Sequence, residues 1–226
     1  MTYDEVIDRL KAEANPANVA GMARYGISST NTLGISIYTL RKIAKELKKD
    51  HKLALKLWDS GFHEARVLAS FIEEPEKVTE AQLDRWVKDF DSWDVCDQVS
   101  ELIAKTPYVL KKIREWAGRD EEFVKRTAFS LIAEVGWYDK KLQDEDFKQF
   151  FTLIKNAATD ERNYVKKAVN WALRNIGKRN KVLNQRAIEV AREIQKMDSK
   201  AARWIAADAL RELTGEAVQK RISRSK

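Results

Sequence analysis

Apolar residues recur at intervals of three and four along nearly every stretch of this chain long enough to judge. Leu40, Ile43, Ala44 and Leu47, then Leu53, Leu57 and Trp58, follow the i, i+3, i+4, i+7 spacing of amphipathic helices, and Gly61 closes the pair. The segment HEARVLASFI opens a further helix directly afterwards. The breaks between such runs are short and rich in turn or capping residues: EEPEKVT with Pro75, KTPY with Pro107, AGRDEE, and GWYDKKLQDED. None is long enough to act as a linker, so residues 1–226 are expected to form a single domain.

The helical pattern also repeats. Four segments share a basic residue followed by a short helix of small and apolar residues: EARVLASFI around Arg66, VKRTAFSLI around Arg126, VKKAVNWAL around Lys167 and AARWIAADAL around Arg203. Midway through the long first gap stands SWDVCDQVSELI, with Asp97 where the others carry a cation, and the spacings then become 31, 29, 41 and 36 residues. Such periods, with two helices each, predict an all-α, right-handed solenoid of HEAT-like repeats, C-shaped with a basic concave face. The alanines suit helices that must approach closely. If the shared position is equivalent in every repeat, Arg66, Arg126, Lys167 and Arg203 form a ladder on the inner wall. Lys166 adjoins it, and Arg174 and Lys178, seven and eleven residues past Lys167, extend it along nearly the same helical face.

Composition and charge sharpen this picture. With 8 Gly and 3 Pro against 44% hydrophobic and 34% charged residues, the chain is neither an all-β sandwich nor disordered. No run of about 18 apolar residues offers a membrane span. The beginning, MTYDEVIDRL, carries acids where a leader would need basic residues and an apolar run. The lone Cys96 fits a reducing compartment, and a cytoplasmic monomer is expected. His51, His63 and Cys96 show no metal-ligand spacing, so neither metal nor cofactor is expected; His63 and Glu64 read as a surface or capping feature, and Cys96 as a small buried group. The net charge of +7 is uneven, −3 over residues 1–160 and +10 over residues 161–226. A polyanion is the implied partner. A line of Lys and Arg on a curved wall suits the phosphate backbone of duplex DNA, where each contact gains affinity by releasing counterions. No array of Asn, Gln and Arg at recognition-helix spacing suggests reading of base edges.

Asp97 breaks the ladder. A carboxylate among cations is repelled by the phosphates they attract, so its presence asks for a reason. Trp93 lies one helical turn before it on the same face, and Trp171 lies one turn past Lys167. Carboxylate, tryptophans and the Arg126 guanidinium make a plausible centre for cleaving an N-glycosidic bond. The carboxylate would stabilise an oxocarbenium-like sugar and hold the attacking water, the indole faces would stabilise the same charge, and Arg126 would anchor the neighbouring phosphate. Plainer roles stand beside these. Asp97 could pair with Arg126, Asp91 and Asp94 could be helix-start acids, and Trp58, Trp86, Trp116 and Trp137 are assigned to packing.

These segments resemble a known family. SWDVCDQV, FVKRTAFSLI and YVKKAVNWALRNIGKRN, with MARYGI and LGIS between residues 22 and 36, resemble motifs of the AlkD-type DNA alkylation-repair glycosylases, over roughly residues 20–180. The resemblance implies HEAT-like repeats and excision of positively charged alkylpurines, such as N3-methyladenine and N7-methylguanine, from duplex DNA. It implies no metal, no organic cofactor and no drawing of the base into a pocket. It places the catalytic aspartate at Asp97, the sugar-contacting tryptophans at Trp93 and Trp171, the phosphate-binding arginine at Arg126 and a further DNA contact at Arg174. The chain departs from the pattern at Ser36–Ile37–Tyr38–Thr39, where a proline would be expected, and over AARWIAADALRELTGEAVQKRISRSK at the end. Two other functions compete: a non-catalytic solenoid binding damaged or branched duplex by shape, and a protein-interaction scaffold.

Overall fold

The computed structural model describes residues 1–224, in which every regular element is helical. Contacts gather the chain into two compact units, Met1–Tyr108 and Val109–Lys226. The first holds α1 (Tyr3–Ala12), α2 (Pro16–Arg24), α3 (Ile37–Leu47), α4 (His51–Asp59), α5 (His63–Ile72), α6 (Glu80–Trp86) and α7 (Trp93–Ile103). The second holds α8 (Val109–Trp116), α9 (Glu122–Tyr138), α10 (Lys148–Ala157), α11 (Asn163–Gly177), α12 (Lys181–Gln195), α13 (Lys200–Leu213) and α14 (Glu216–Arg224). Helices α1, α3, α4, α6, α12 and α13 begin where polar side chains satisfy otherwise orphaned backbone donors. Asp50 accepts from the Leu53 N–H at 3.0 Å, Asn180 from Leu183 at 2.8 Å and Ser199 from Ala202 at 3.2 Å. Ser36, which opens the stretch where a proline would be expected, takes the same role for α3 through the Thr39 N–H at 3.2 Å.

Alternate helices lie side by side within each unit. In the first, α5 packs on α3 and α7; in the second, α11 packs on α9 and α13 while α10 and α12 back them. Arg66, Asp97, Arg126, Lys167 and Arg203 each occupy the fourth or fifth residue of α5, α7, α9, α11 and α13 in turn. The repeat read from spacing is therefore a repeat of structure. Small residues make the approach possible. A Cβ on Gly136 of α9 would sit 3.2 Å from the Ile176 backbone nitrogen, and one on Gly177 would meet Leu213 at 2.7 Å. Ala168, Ala172, Ala202, Ala206 and Ala209 are all buried.

The first unit is built around aromatic stacking and buried charge. Trp58 and Trp86 stack with centroids 4.0 Å apart and planes 3° from parallel, an arrangement worth about 0.5–1.5 kcal/mol beyond area burial. Trp116 is likewise buried, whereas Trp137, expected to be core, is 37% exposed. It sits in the last turn of α9, where Lys178 and Arg221 lie over its ring.

His63 and Glu64 also depart from expectation, for both are buried. The Glu64 carboxylate accepts the backbone N–H groups of Leu33, Gly34 and Ile35 at 2.8, 2.7 and 3.1 Å. Those bonds replace the water that burial removes and pin the 33–35 segment onto α5. His63 Nε2 lies 2.9 Å from Asp94 Oδ2, tying the start of α5 to the first turn of α7. Burial by itself pushes the His63 pKa down. The hydrogen bond and charge of Asp94, aided by Glu64 and Asp91, outweigh it and hold the pKa above the ordinary value.

Two outcomes follow for stability. Gly34 has φ +81°, and a Cβ there would lie 2.1 Å from the Asn15 carbonyl oxygen. Gly34→Ala is expected to cost more than about 2 kcal/mol, seen as a fall of roughly 5 °C or more in a thermal melt. An unchanged melt would show that the segment tolerates displacement. The raised His63 pKa contributes stability that is fully present below the unfolded value and lost as pH rises through the folded one. The gap in melting temperature between the native protein and His63→Gln should therefore be widest near about pH 5.5 and narrow towards about pH 8.5. A gap that widened with pH would reverse the sign of this linkage.

Candidate nucleic-acid interface

In the first unit the candidate residues sit on α7. Its buried side is Val95, Cys96, Val99, Ser100, Leu102 and Ile103. Trp93 and Asp97, four residues apart, are half-buried on the other side. The Trp93 indole N–H donates to the Tyr25 carbonyl at 2.9 Å, which orients the ring from the end of α2. Asp94 is turned to His63, a helix-start acid as expected but with a buried partner that the sequence did not reveal. Cys96 is buried, its Sγ 3.2 Å from the Ser92 carbonyl oxygen. Arg66 on α5 is directed inward: it donates to the Asp89 carbonyl at 2.9 Å and lies over the Trp58 ring at 5.6 Å.

The second unit carries the remaining candidates on α9, α11 and α13. Arg126 is only 6% exposed, and its Nη1 donates to the Tyr164 carbonyl at 2.8 Å, so the start of α11 fixes the guanidinium. The Tyr164 ring in turn stacks on Phe123 at 5.5 Å. Trp171 is half-buried on α11. Lys167 is exposed, and Lys166 lies over the ring of Trp204 at 5.2 Å. Arg203 is exposed and faces Asp198 at 3.3 Å, a pair too open to water to be worth much.

Arg174 and Lys178 stand differently. Arg174 reaches Asp208 at 3.2 Å and Glu212 at 2.7 Å, and Lys178 reaches Glu212 at 2.9 Å. Asn170 adds a bond to Asp208 at 2.7 Å. Two carboxylates on α13 thus answer Arg174 of α11 and Lys178, which caps that helix. The signal was present as Asp208 and Glu212 four residues apart, but only the register between the two helices shows which cations they meet. The N-terminal ends of α11 and α13 therefore carry the less compensated cations Lys166, Lys167 and Arg203.

The first unit thus offers the half-buried Asp97 carboxylate beside an oriented tryptophan, and the second offers cations for phosphates and the half-buried Trp171 indole. Among the described residues, no three His, Cys, Asp or Glu side chains are grouped to hold a metal ion, and no helix is long and apolar enough to cross a membrane.

Comparison with known proteins agrees with this architecture. A solved structure described as a new family of proteins related to the HEAT-like repeat DNA glycosylases, with affinity for branched DNA structures, superposes with a TM-score of 0.80. The match covers 98% of this chain and 96% of that one at 19% identity, which establishes the fold as an all-α solenoid of HEAT-like repeats. Uncharacterised proteins of Listeria monocytogenes and Listeria innocua are each 23% identical over 205 residues, covering 87% of this chain and 88% of theirs. A family model described as DNA alkylation repair enzyme matches residues 6–213. With helices, repeat positions and family model in accord over nearly the whole chain, this protein belongs to the DNA alkylation repair enzyme family.

Proposed function

We propose that this chain is a monofunctional DNA glycosylase that removes cationic N3- and N7-alkylpurines from duplex DNA, as a cytoplasmic monomer whose residues 1–226 act on one duplex as a single domain. The observation that carries the reading is Asp97. It is a half-buried carboxylate one turn from Trp93, in the helix position where the corresponding helices carry Arg or Lys.

The chemistry asks little of the protein. The bond from C1′ to the base nitrogen breaks, and its electron pair leaves with the base, cancelling the positive charge of the alkylpurine. No general acid is required, so the lack of a second paired carboxylate is no objection. The sugar becomes oxocarbenium-like, and Asp97 stabilises that charge and takes the proton of the water that adds to C1′. Trp93, one turn from Asp97 on the same helix, presents an indole face to that cation, worth about 0.5–2 kcal/mol, and Trp171 is the second tryptophan assigned to contact the sugar. Arg126 anchors a phosphate beside the reacting nucleotide. Arg174, Lys166, Lys167, Lys178 and Arg203 track the backbone. No metal or organic cofactor takes part in this scheme.

A second reading is favoured by the solved neighbour with affinity for branched DNA structures: a non-catalytic protein that binds branched or damaged duplex by shape. The two part at Asp97. Wild type is expected to release methylated purines from alkylated duplex DNA, and Asp97→Asn to lose about a hundredfold or more of that rate at equal DNA occupancy. Binding by the variant should be equal or stronger, since a negative charge has been removed. No release by wild type, with salt-dependent binding by both proteins, would establish the second reading. As a check on the backbone track, Lys167→Ala should lower the slope of log affinity against log salt by about one, on blunt duplexes of unrelated sequence alike. A sequence-dependent effect would point to base contact instead.

A further inference from the structure

The exposed face of α13 carries a tryptophan that the functional reading leaves unused. Trp204 is 41% exposed, while the opposite side of its helix is a continuous run of buried Ala201, Ala202, Ile205, Ala206, Ala209 and Leu213. Packing of α13 is thus complete without this indole. The ring is turned towards α11, where Lys166 lies over it at 5.2 Å. One turn further along the same seam the compensating carboxylates begin, with Asp208 bonded to Asn170 and Arg174.

The charges around Trp204 have a sign. Lys167, Lys200 and Arg203 are exposed, and Lys167 forms no ion pair among the described residues. Against them stand Asp198, open to water beside Arg203, and Glu161. The latter carboxylate is occupied by the Ser199 hydroxyl at 2.8 Å and the Ala201 N–H at 3.0 Å. An accessible indole among surplus cations, at the N-terminal ends of two long helices, has the attributes of a nucleotide platform. The ring offers a π-face that any base can stack on, and the lysines and arginine take the flanking phosphates. An acidic or apolar protein partner is fitted less well, because the cations surround a single ring and no wider apolar patch.

We propose that Trp204, backed by Lys166, stacks an unpaired nucleotide of a DNA strand whose phosphates are held by Lys167, Lys200 and Arg203. This inference rests on the DNA-binding part of the function proposed above and extends it from paired to single-stranded DNA. A base inside an intact duplex presents no free face, so the contact serves only strand ends, gaps or junctions.

The test uses the full chain and two duplexes of equal paired length, one blunt and one with a short 5′ overhang bearing 2-aminopurine. Wild type is expected to bind the overhang duplex about tenfold more tightly than the blunt one and to change the 2-aminopurine fluorescence. Trp204→Ala should lose both the preference and the fluorescence change, keeping its blunt-duplex affinity within about twofold and its thermal melt, since the ring lies outside the core. Trp204→Phe, which retains a smaller π-face, should fall between. Overhang preference and fluorescence change that persist in Trp204→Ala would overturn the contact. So would wild type that binds blunt duplex and shows no preference, leaving the DNA-binding reading intact. Wild type that binds neither DNA would sink both.

Discussion

The close approach of alternate helices is the constraint from which the rest of the second unit follows. Glycine and alanine at the contact bring α11 against α9 and α13, and a larger residue at Gly136 would strike backbone, which cannot yield as a side-chain end can. Once the helices are that near, their register is set, and an offset of 38 residues recurs along the seams. Arg126 meets Tyr164, Asn170 meets Asp208 and Arg174 meets Glu212 at this separation. Lys166 meets Trp204 in the same way.

That offset decides the fate of each cation. A basic side chain on one helix is answered by whatever stands one repeat later: a carbonyl for Arg126, an indole for Lys166, a pair of carboxylates for Arg174. Half-buried ion pairs orient their members but spend part of the field that would draw in a polyanion. The uneven charge of the chain, +10 beyond residue 160, is thereby made uneven again within its own helices. The ends of α11 and α13 that hold Lys166, Lys167 and Arg203 retain it, and the ends that hold Arg174 and Lys178 share it with α13.

Much of the fold was legible because it depends on local periodicity. The spacing of Leu40, Ile43 and Leu47, the small residues after Arg126, Lys167 and Arg203, and the interposed Asp97 located alternate helices without any tertiary knowledge. What escaped depended on partners distant in sequence. His63 and Glu64 look like surface residues in HEARVLASFI, because nothing nearby shows that Asp94 and three backbone N–H groups await them 29–31 positions away. Trp137 has helical spacing suited to a core, but the helix ends one residue later and the ring is met by cations. Arg174 and Lys178 have the right face for a ladder, yet a helical wheel of α11 cannot display the carboxylates of α13. Residue types at a candidate site could be read from sequence; their compensation could not.

Compensation also bears on how Asp97 on α7 could act. A group that stabilises a developing charge helps most when it need not move to do so, because reorganisation would consume the gain. The first turn of α7 is restrained from two directions, by buried His63 on Asp94 and by the Tyr25 carbonyl on the Trp93 indole N–H. Beneath it Cys96 and Val99 are fully buried. The bond to Tyr25 uses the edge of the Trp93 indole, so it holds the ring's orientation without engaging its π-surface. Asp97, one turn on, is carried by a helix whose start is fixed. The contact between buried His63 and half-buried Asp94 thus serves as a clamp on the start of α7 as well as a source of pH-dependent stability. For the chemistry proposed above, a carboxylate already held in place is what departure of a cationic base would require.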